Sequence, residues 1–192
     1  MLLAKFKAYI ERERLFSADD QIIAGVSGGI DSMVMLRLLF ECGYRIAVAH
    51  CNFSLRGEES DGDEQLVEET AKQYNIPLYS VRFNTHKEAE KQGESIQMAA
   101  RRLRYEWFEE LADKYGYNKI AIAHNNDDTI ETFFINLIRG TGIRGLNGIP
   151  VTNGKIVRPL IFAPRNEIEE YACNNRIAYR DDSTNASDKY LR

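Results

Sequence analysis

The stretch IIAGVSGGIDSMVMLRLLFEC, residues 22–42, decides the fold. It opens on an apolar, β-branched run at residues 22–27, too short for a helix and apolar on both alternating faces, the pattern of a strand covered from both sides. It closes on residues 31–42, a longer run of helix formers followed by Gly43, a helix-stop signal. Between the two lies a turn built from Ser27, Gly28, Gly29, Ile30, Asp31 and Ser32. The two glycines allow positive φ and close approach of a ligand to the backbone. The first amides of the helix and its dipole then make an anion site. Ser27 and Ser32 add hydroxyl donors. Asp31 is the odd member, because a carboxylate beside a phosphate cradle is unfavourable unless a cation such as Mg²⁺ lies between them. Taken alone, Gly-Gly also reads as a tight turn with Asp31 as a helix N-cap. The segment is neither a Walker A loop nor GxGxxG.

The same unit recurs along the chain. Strands are predicted at residues 45–52, 77–84 and 119–124, with a weaker fifth at 155–160. Helices are predicted at 3–14, 58–74, 95–115, 127–139 and 165–174. Such alternation with right-handed crossovers gives an α/β fold: an open, parallel, five-stranded sheet with helices on both faces. Ligands of such sheets sit at the carboxyl ends of the strands.

Composition narrows the class. The 192 residues are 44% hydrophobic and 28% charged, which excludes a disordered or fibrous chain. The formal net charge of −4 argues against a protein that coats nucleic acid non-specifically, but leaves room for a local basic patch. No apolar run approaches the about 18 residues of a membrane span, and the charged N-terminus lacks a signal-peptide pattern, so no membrane partner is expected. Cys42, Cys51 and Cys173 are odd in number and widely spaced, which points to a reduced, cytoplasmic protein without a disulfide framework or zinc cluster.

The strand ends carry the polar chemistry. His50 closes the strand at 45–52, and Arg56 and an acidic run, Glu58, Glu59, Asp61 and Asp63, follow it. That run also reads as a solvated first helical turn. The helix at 95–115 carries Arg101 and Arg104 three residues apart on one face, suited to holding a phosphate or to pairing with nearby glutamates. The strand at 119–124 ends on His124, and Asp127, Asp128 and Glu131 open the helix that follows. Asp128 and Glu131 share a helical face, suited to a metal or a cationic group. Phe133, Phe134, Leu137 and Ile138 are expected to form the buried face of that helix. A glycine-rich loop with Arg139 and Arg144 follows, suited to phosphate or RNA contact.

Together these motifs resemble a known family. SGGIDS resembles the pyrophosphate-binding loop of the PP-loop ATP pyrophosphatases. The segment AHNNDDTIETFFINLIRGTGIRGLNGIP, at 123–150, resembles the tRNA(Ile)-lysidine synthetases within that superfamily, as does the run from Arg158 to Arg192. The stretch at 50–63 is similar to their H-x-x-H-G-L-R…E-S-D-x-D pattern, except that Phe53 and Ser54 stand where the second His and the Gly are usual. The resemblance implies ATP and Mg²⁺ as cofactors. It also implies adenylation of the wobble cytidine of tRNA(Ile) with a CAU anticodon, followed by attack of free L-lysine. It assigns Ser27 to Ser32 to ATP, Asp31 to the metal, and Arg101 or Arg104 with His124 to adenylation, with a slight preference for Arg101. Asp128 and Glu131 are assigned to lysine, and Arg139 and Arg144 to tRNA. It implies one catalytic domain over 1–192, whose last ~30 residues begin a linker to further C-terminal tRNA-binding domains. It leaves room for a homodimer. The alternatives are a PP-loop tRNA thiolase, disfavoured because no cysteines are paired, and a small-molecule adenylating synthetase.

Overall fold

The computed structural model describes residues 1–141 and 148–180. Its strands are β1 (Gln21–Gly25), β2 (Arg45–Asn52), β3 (Leu78–Arg82), β4 (Lys119–Ile122), β5 (Thr152–Asn153) and β6 (Ile156–Val157). Its helices are α1 (Leu2–Glu13), α2 (Ile30–Glu41), α3 (Glu58–Tyr74), α4 (Thr85–Gln92), α5 (Ile96–Tyr115), α6 (Asn126–Ile138) and α7 (Arg165–Asn174). The strand order is β3-β2-β1-β4-β6-β5, parallel except for the β5–β6 pair. The chain lays down β1, β2 and β3 outward in one direction, then returns to place β4 on the other side of β1. The crevice at the carboxyl ends of β1 and β4 is therefore the switch point where such sheets bind ligands.

Alternation along the strands feeds two cores. Ile22, Ala24, Val48, Ala121 and Val157 join the layer formed by α1, α2, α3 and α7. Ile23, Ala49, Ile120, Ile122 and Ile156 pack with Phe108, Leu111 and Ala112 of α5. Helix α2 buries residues around most of its circumference, Met33, Val34, Met35, Leu36, Leu38 and Leu39 among them, which is why its sequence shows so little polar face. Among the described residues, no helix is long and apolar enough to cross a membrane.

The structure corrects the expected sheet in one respect: among the described residues it has six strands, not five. The expected strand at 155–160 shrinks to Ile156–Val157, because Arg158-Pro159 follows and proline supplies no ladder donor. Gly154, at φ +59, turns Asn153 back to pair with Ile156, which adds the antiparallel edge strand. Helix α4 was also unread. Asn84 caps it by accepting from the Lys87 amide, and Gly93 ends it in a left-handed conformation. The expected buried face of α6 is corrected too. No residue of α6 is buried, and Phe134, Leu137 and Ile138 are 54%, 50% and 82% exposed.

Ser54 has a left-handed backbone, φ +54, with its amide donating to Asn52 Oδ1. A side chain there is strained, which accounts physically for a glycine in the related pattern.

Two outcomes follow from this packing. A Cβ on Gly25 would sit 2.7 Å from Cε2 of the buried Phe108 ring and 3.2 Å from Ile122 Cδ1. Gly25→Val should therefore lower stability by about 1–3 kcal/mol, read as a lower urea midpoint at constant m-value. An unchanged midpoint would show that α5 does not press on β1 there. Ser54→Gly should raise the midpoint by the equivalent of a few tenths to about 1 kcal/mol, and a fall would refute the strain.

Candidate active site

The loop after β1 is held in shape by its own hydroxyls. Ser32 Oγ donates to Gly29 O at 2.8 Å and accepts from the Ser27 amide at 3.1 Å, while Ser27 Oγ accepts from the Gly29 amide at 3.3 Å. Gly28 takes φ +96, and a Cβ there would lie 3.2 Å from Asp63 Cβ, so this position needs glycine twice over. Gly29, not Asp31, is the N-cap of α2, which leaves the Asp31 carboxylate free for other partners. The first-turn amides of α2 have no partner within the helix and face outward as an anion site.

A cleft of about 330 Å³ opens over this loop. Ser27, Gly29, Ile30, Asp31, Ser32, Arg104 and His124 line it, so the structure brings together seven residues singled out in the sequence. Gly28 lies just behind, its carbonyl accepting from the Arg180 amide at 3.0 Å. Arg101 is exposed instead, and its guanidinium lies 5.0 Å over the ring of Tyr105 on the same helix. Arg104, one turn on, lies 5.2 Å over the ring of Phe53, which also lines the cleft. Phe53 therefore supports the arginine that reaches the cleft.

Asp31 is half-buried and held from two sides. Arg165 Nη1 donates to Oδ2 at 2.5 Å, and Asn125 Nδ2 to Oδ1 at 3.2 Å. Burial raises its carboxyl pKa, opposed by Arg165 and Asn125. Asn125 also caps α6, accepting from the Asp128 amide at 3.0 Å, while Asp128 Oδ2 accepts from the Asn125 amide at 2.9 Å. Asp128 thus stands one residue removed from the cleft. Burial raises its pKa, a backbone hydrogen bond opposes this, and the charges of Asp31 and Glu131 raise it further. Glu131 is exposed next to it, and Arg139 is exposed at the far end of α6. Arg144 lies outside the described residues, as do Asp182, Ser183, Asn185, Tyr190 and Arg192.

His124 follows β4, and burial, then Arg158, Arg101 and Arg104, push its pKa down to about 4. It is a neutral imidazole at pH 7. His50 is buried at the end of β2, with Nδ1 donating to Val26 O at 2.8 Å. It therefore fixes the backbone leading into the loop. Of the acidic run, Glu58 and Glu59 are exposed, but Asp63 is buried under Gly28. Its two oxygens accept from Arg56 Nη2 at 2.7 Å and Arg180 Nε at 3.1 Å. Cys51 lines the cleft alone among the cysteines, and burial raises its thiol pKa to about 12, so it stands as an unreactive thiol.

Sequence reading gave no role to Arg165, Arg180 or Asn125. Arg165 and Arg180 belong to late segments that return to the cleft, and only the side-by-side parallel strands bring those segments there. Asn125 carried a usable signal, since it precedes a helix and has Asp three residues on. With Arg104, Arg165 and Arg180 around one half-buried carboxylate, the cleft is suited to a polyanion. Among the described residues, no three His, Cys, Asp or Glu side chains are grouped as metal ligands. Asp31 alone fits a Mg²⁺ that takes its remaining ligands from phosphate oxygens and water, the usual Mg²⁺ arrangement.

The comparisons agree with this geometry. The PP-loop domain family matches residues 2–192. The chain is 47% identical over 192 residues to a tRNA(Ile)-lysidine synthase of Bacteroides thetaiotaomicron, covering 100% of this chain and 45% of that protein. It is 46% identical over 191 residues to one of Parabacteroides distasonis, covering 100% and 44%. The chain thus spans less than half the length of these curated relatives. In fold, it is similar to the U34-tRNA thiolase of Methanococcus maripaludis, with a TM-score of 0.75 at 20% identity over 93% of this chain and 64% of that one. With the family matching from end to end, and the hydroxyl-braced Ser27–Ser32 loop seated at the switch point, the chain belongs to the PP-loop domain family.

Proposed function

We propose that this chain is the ATP-using catalytic domain of a tRNA(Ile)-lysidine synthase. The reading rests chiefly on the 47% identity that runs the whole length of the chain, with the cleft residues in place. The reaction joins lysine to C2 of the wobble cytidine of tRNA(Ile) bearing a CAU anticodon. The C2 oxygen attacks the α-phosphate of ATP and pyrophosphate leaves. An amine of free lysine then adds at C2, AMP departs with the oxygen, and the amine gives up its proton. The adenylation step converts a poor leaving group into a good one, and holding both reactants together lowers the entropic part of the barrier.

Each group has a role in this scheme. The amides and hydroxyls of Ser27 to Ser32 hold the pyrophosphate. Asp31 would hold Mg²⁺, which when bound offsets phosphate charge. For that, Arg165 must release Asp31, and the phosphates give it a new anionic partner. Arg104 stabilises charge developing at the α-phosphate, and Arg101 contributes only through its field. His124 donates a hydrogen bond in the same place. Asp128, whose charge is coupled to that of Asp31, and Glu131 beside it lie outside the cleft lining and hold the ammonium of lysine. Arg139 and Arg144 contact the tRNA backbone. Further tRNA-binding domains beyond this part, a cytoplasmic location and a homodimer complete the proposal.

The deciding experiment measures AMP formation from ATP, Mg²⁺ and lysine by the full-length enzyme, with and without unmodified tRNA(Ile). AMP that requires the tRNA is expected, and equal AMP without RNA would overturn the substrate assignment. Asp31→Asn should abolish AMP formation while leaving the circular dichroism spectrum unchanged. An active variant would refute the metal role. Arg104→Ala should lower kcat by at least about 10²-fold, the scale of losing a donor aimed at developing charge, and Arg101→Ala by much less. The reverse order would show that Arg101 reaches the phosphate.

A further inference from the structure

We propose that Arg158 is a positioning residue that fixes His124 as a neutral Nε2–H hydrogen-bond donor, so that this histidine serves the reaction as an electrophile and not as a base.

The two residues meet because β4 and β6 are parallel neighbours, with Ala121 opposite Val157. Each chain leaves the sheet at the same edge, one into His124 and the other into Arg158. Arg158 is only 3% exposed. Its backbone amide donates to Val151 O at 2.9 Å, and its Nη1 donates to Pro150 O at 2.7 Å, which leaves Nε aimed at the imidazole. Nε donates to His124 Nδ1 at 3.0 Å.

A guanidinium carries only donors. Nδ1 must therefore present its lone pair, and in a neutral ring the proton resides on Nε2. Protonating Nδ1 would set two N–H groups against each other and place a second positive charge beside the first. No carboxylate pairs with Arg158 among the described residues. Its charge acts on the ring undiminished, together with those of Arg101 and Arg104 from α5. His124 lines the cleft, whereas Arg158 does not, so the arginine acts through the histidine. An Nε2–H group cannot accept a proton from the attacking cytidine or lysine. It can donate to oxygen charge that develops during adenylation. This last step rests on the function proposed above, while the tautomer assignment does not.

The test reads the ring directly. In ¹⁵N-histidine NMR of the full-length enzyme, the His124 signals are those that a His124→Gln variant loses. The wild type should show His124 with Nδ1 unprotonated and Nε2 protonated from pH 8 down to about 5, titrating only near 4. An Nδ1–H ring in the wild type overturns the proposal without any variant. Arg158→Met, checked for folding by circular dichroism, should give mixed tautomers. Its titration midpoint should rise, because the nearest cation is gone while burial remains. A folded variant with the wild-type tautomer and midpoint overturns it equally. Arg158→Lys keeps the charge but cannot reach Pro150 O and His124 together, so it should restore the low midpoint without a single tautomer.

AMP formation separates this proposal from the function it rests on. Arg158→Met should lower kcat by about 10²-fold, the low end of what losing one hydrogen-bond donor aimed at developing charge costs, with little change in KM for ATP. If the tautomer shifts as expected and AMP formation does not change, the positioning stands and the role given to His124 in adenylation fails.

Discussion

The pairing of β1 with β2 on one side and β4 on the other is the constraint from which the rest follows. Both pairings are parallel, so all three strands end at the same edge. The order reversal at β1 keeps the space above that edge free of a crossover helix. The Ser27–Ser32 turn and His124 are consequently gathered at one crevice, with buried His50 behind the turn, although the chain between them runs through four helices and two further strands. The cost is two apolar faces that must both be covered. Helix α2, buried along most of its surface, does this on one side, and α5 does it on the other through Phe108. Gly25 lets that ring approach β1 at the point where the loop begins.

The charge arrangement at the crevice has a consistent sense. Among the described residues, Asp31 is the one carboxylate in the lining, and Arg165 and Asn125 hold it. Around it stand arginines fixed by other means: Arg104 on the ring of Phe53, Arg180 on Asp63. Nearby, Arg158 is clamped by the Pro150 carbonyl. These supports keep the cations in place without spending their charge on the cleft itself. A polyanion entering there meets preorganised donors and pays little to rearrange them. Burial, and after it the same field, keep His124 neutral.

How much of this was legible before the structure depends on the range of the interaction. Strand 45–52 and helices 58–74 and 165–174 were read to the residue, because each carries a clear pattern and a local stop signal. Helix α4 carries such signals, Asn84 and Gly93, but the strand expected over 77–84 takes in Asn84 and so masks the cap. The edge strand β5 is two residues long, too short for any periodicity to reveal. Helix α6 shows the opposite failure. Its phenylalanines and leucine have the spacing of a buried face, yet no residue of the helix is buried among the described residues, because spacing alone does not supply the element that would cover it.

By itself, the sequence determined that a strand runs through Gly-Gly into a helix, and hence that an anion site exists at that junction, because backbone amides and a helix dipole are local properties. It also determined the parallel α/β class, through apolar runs too short for helices and apolar on both faces. Tertiary structure alone decided which side chains serve that site. Arg104 and Arg101 are equivalent on a helical wheel until Phe53 lies under one of them. Arg158 and Arg165 meet His124 and Asp31 across 34 and 134 residues of chain. No local spacing encodes such contacts, because they exist only once neighbouring strands have set distant segments side by side.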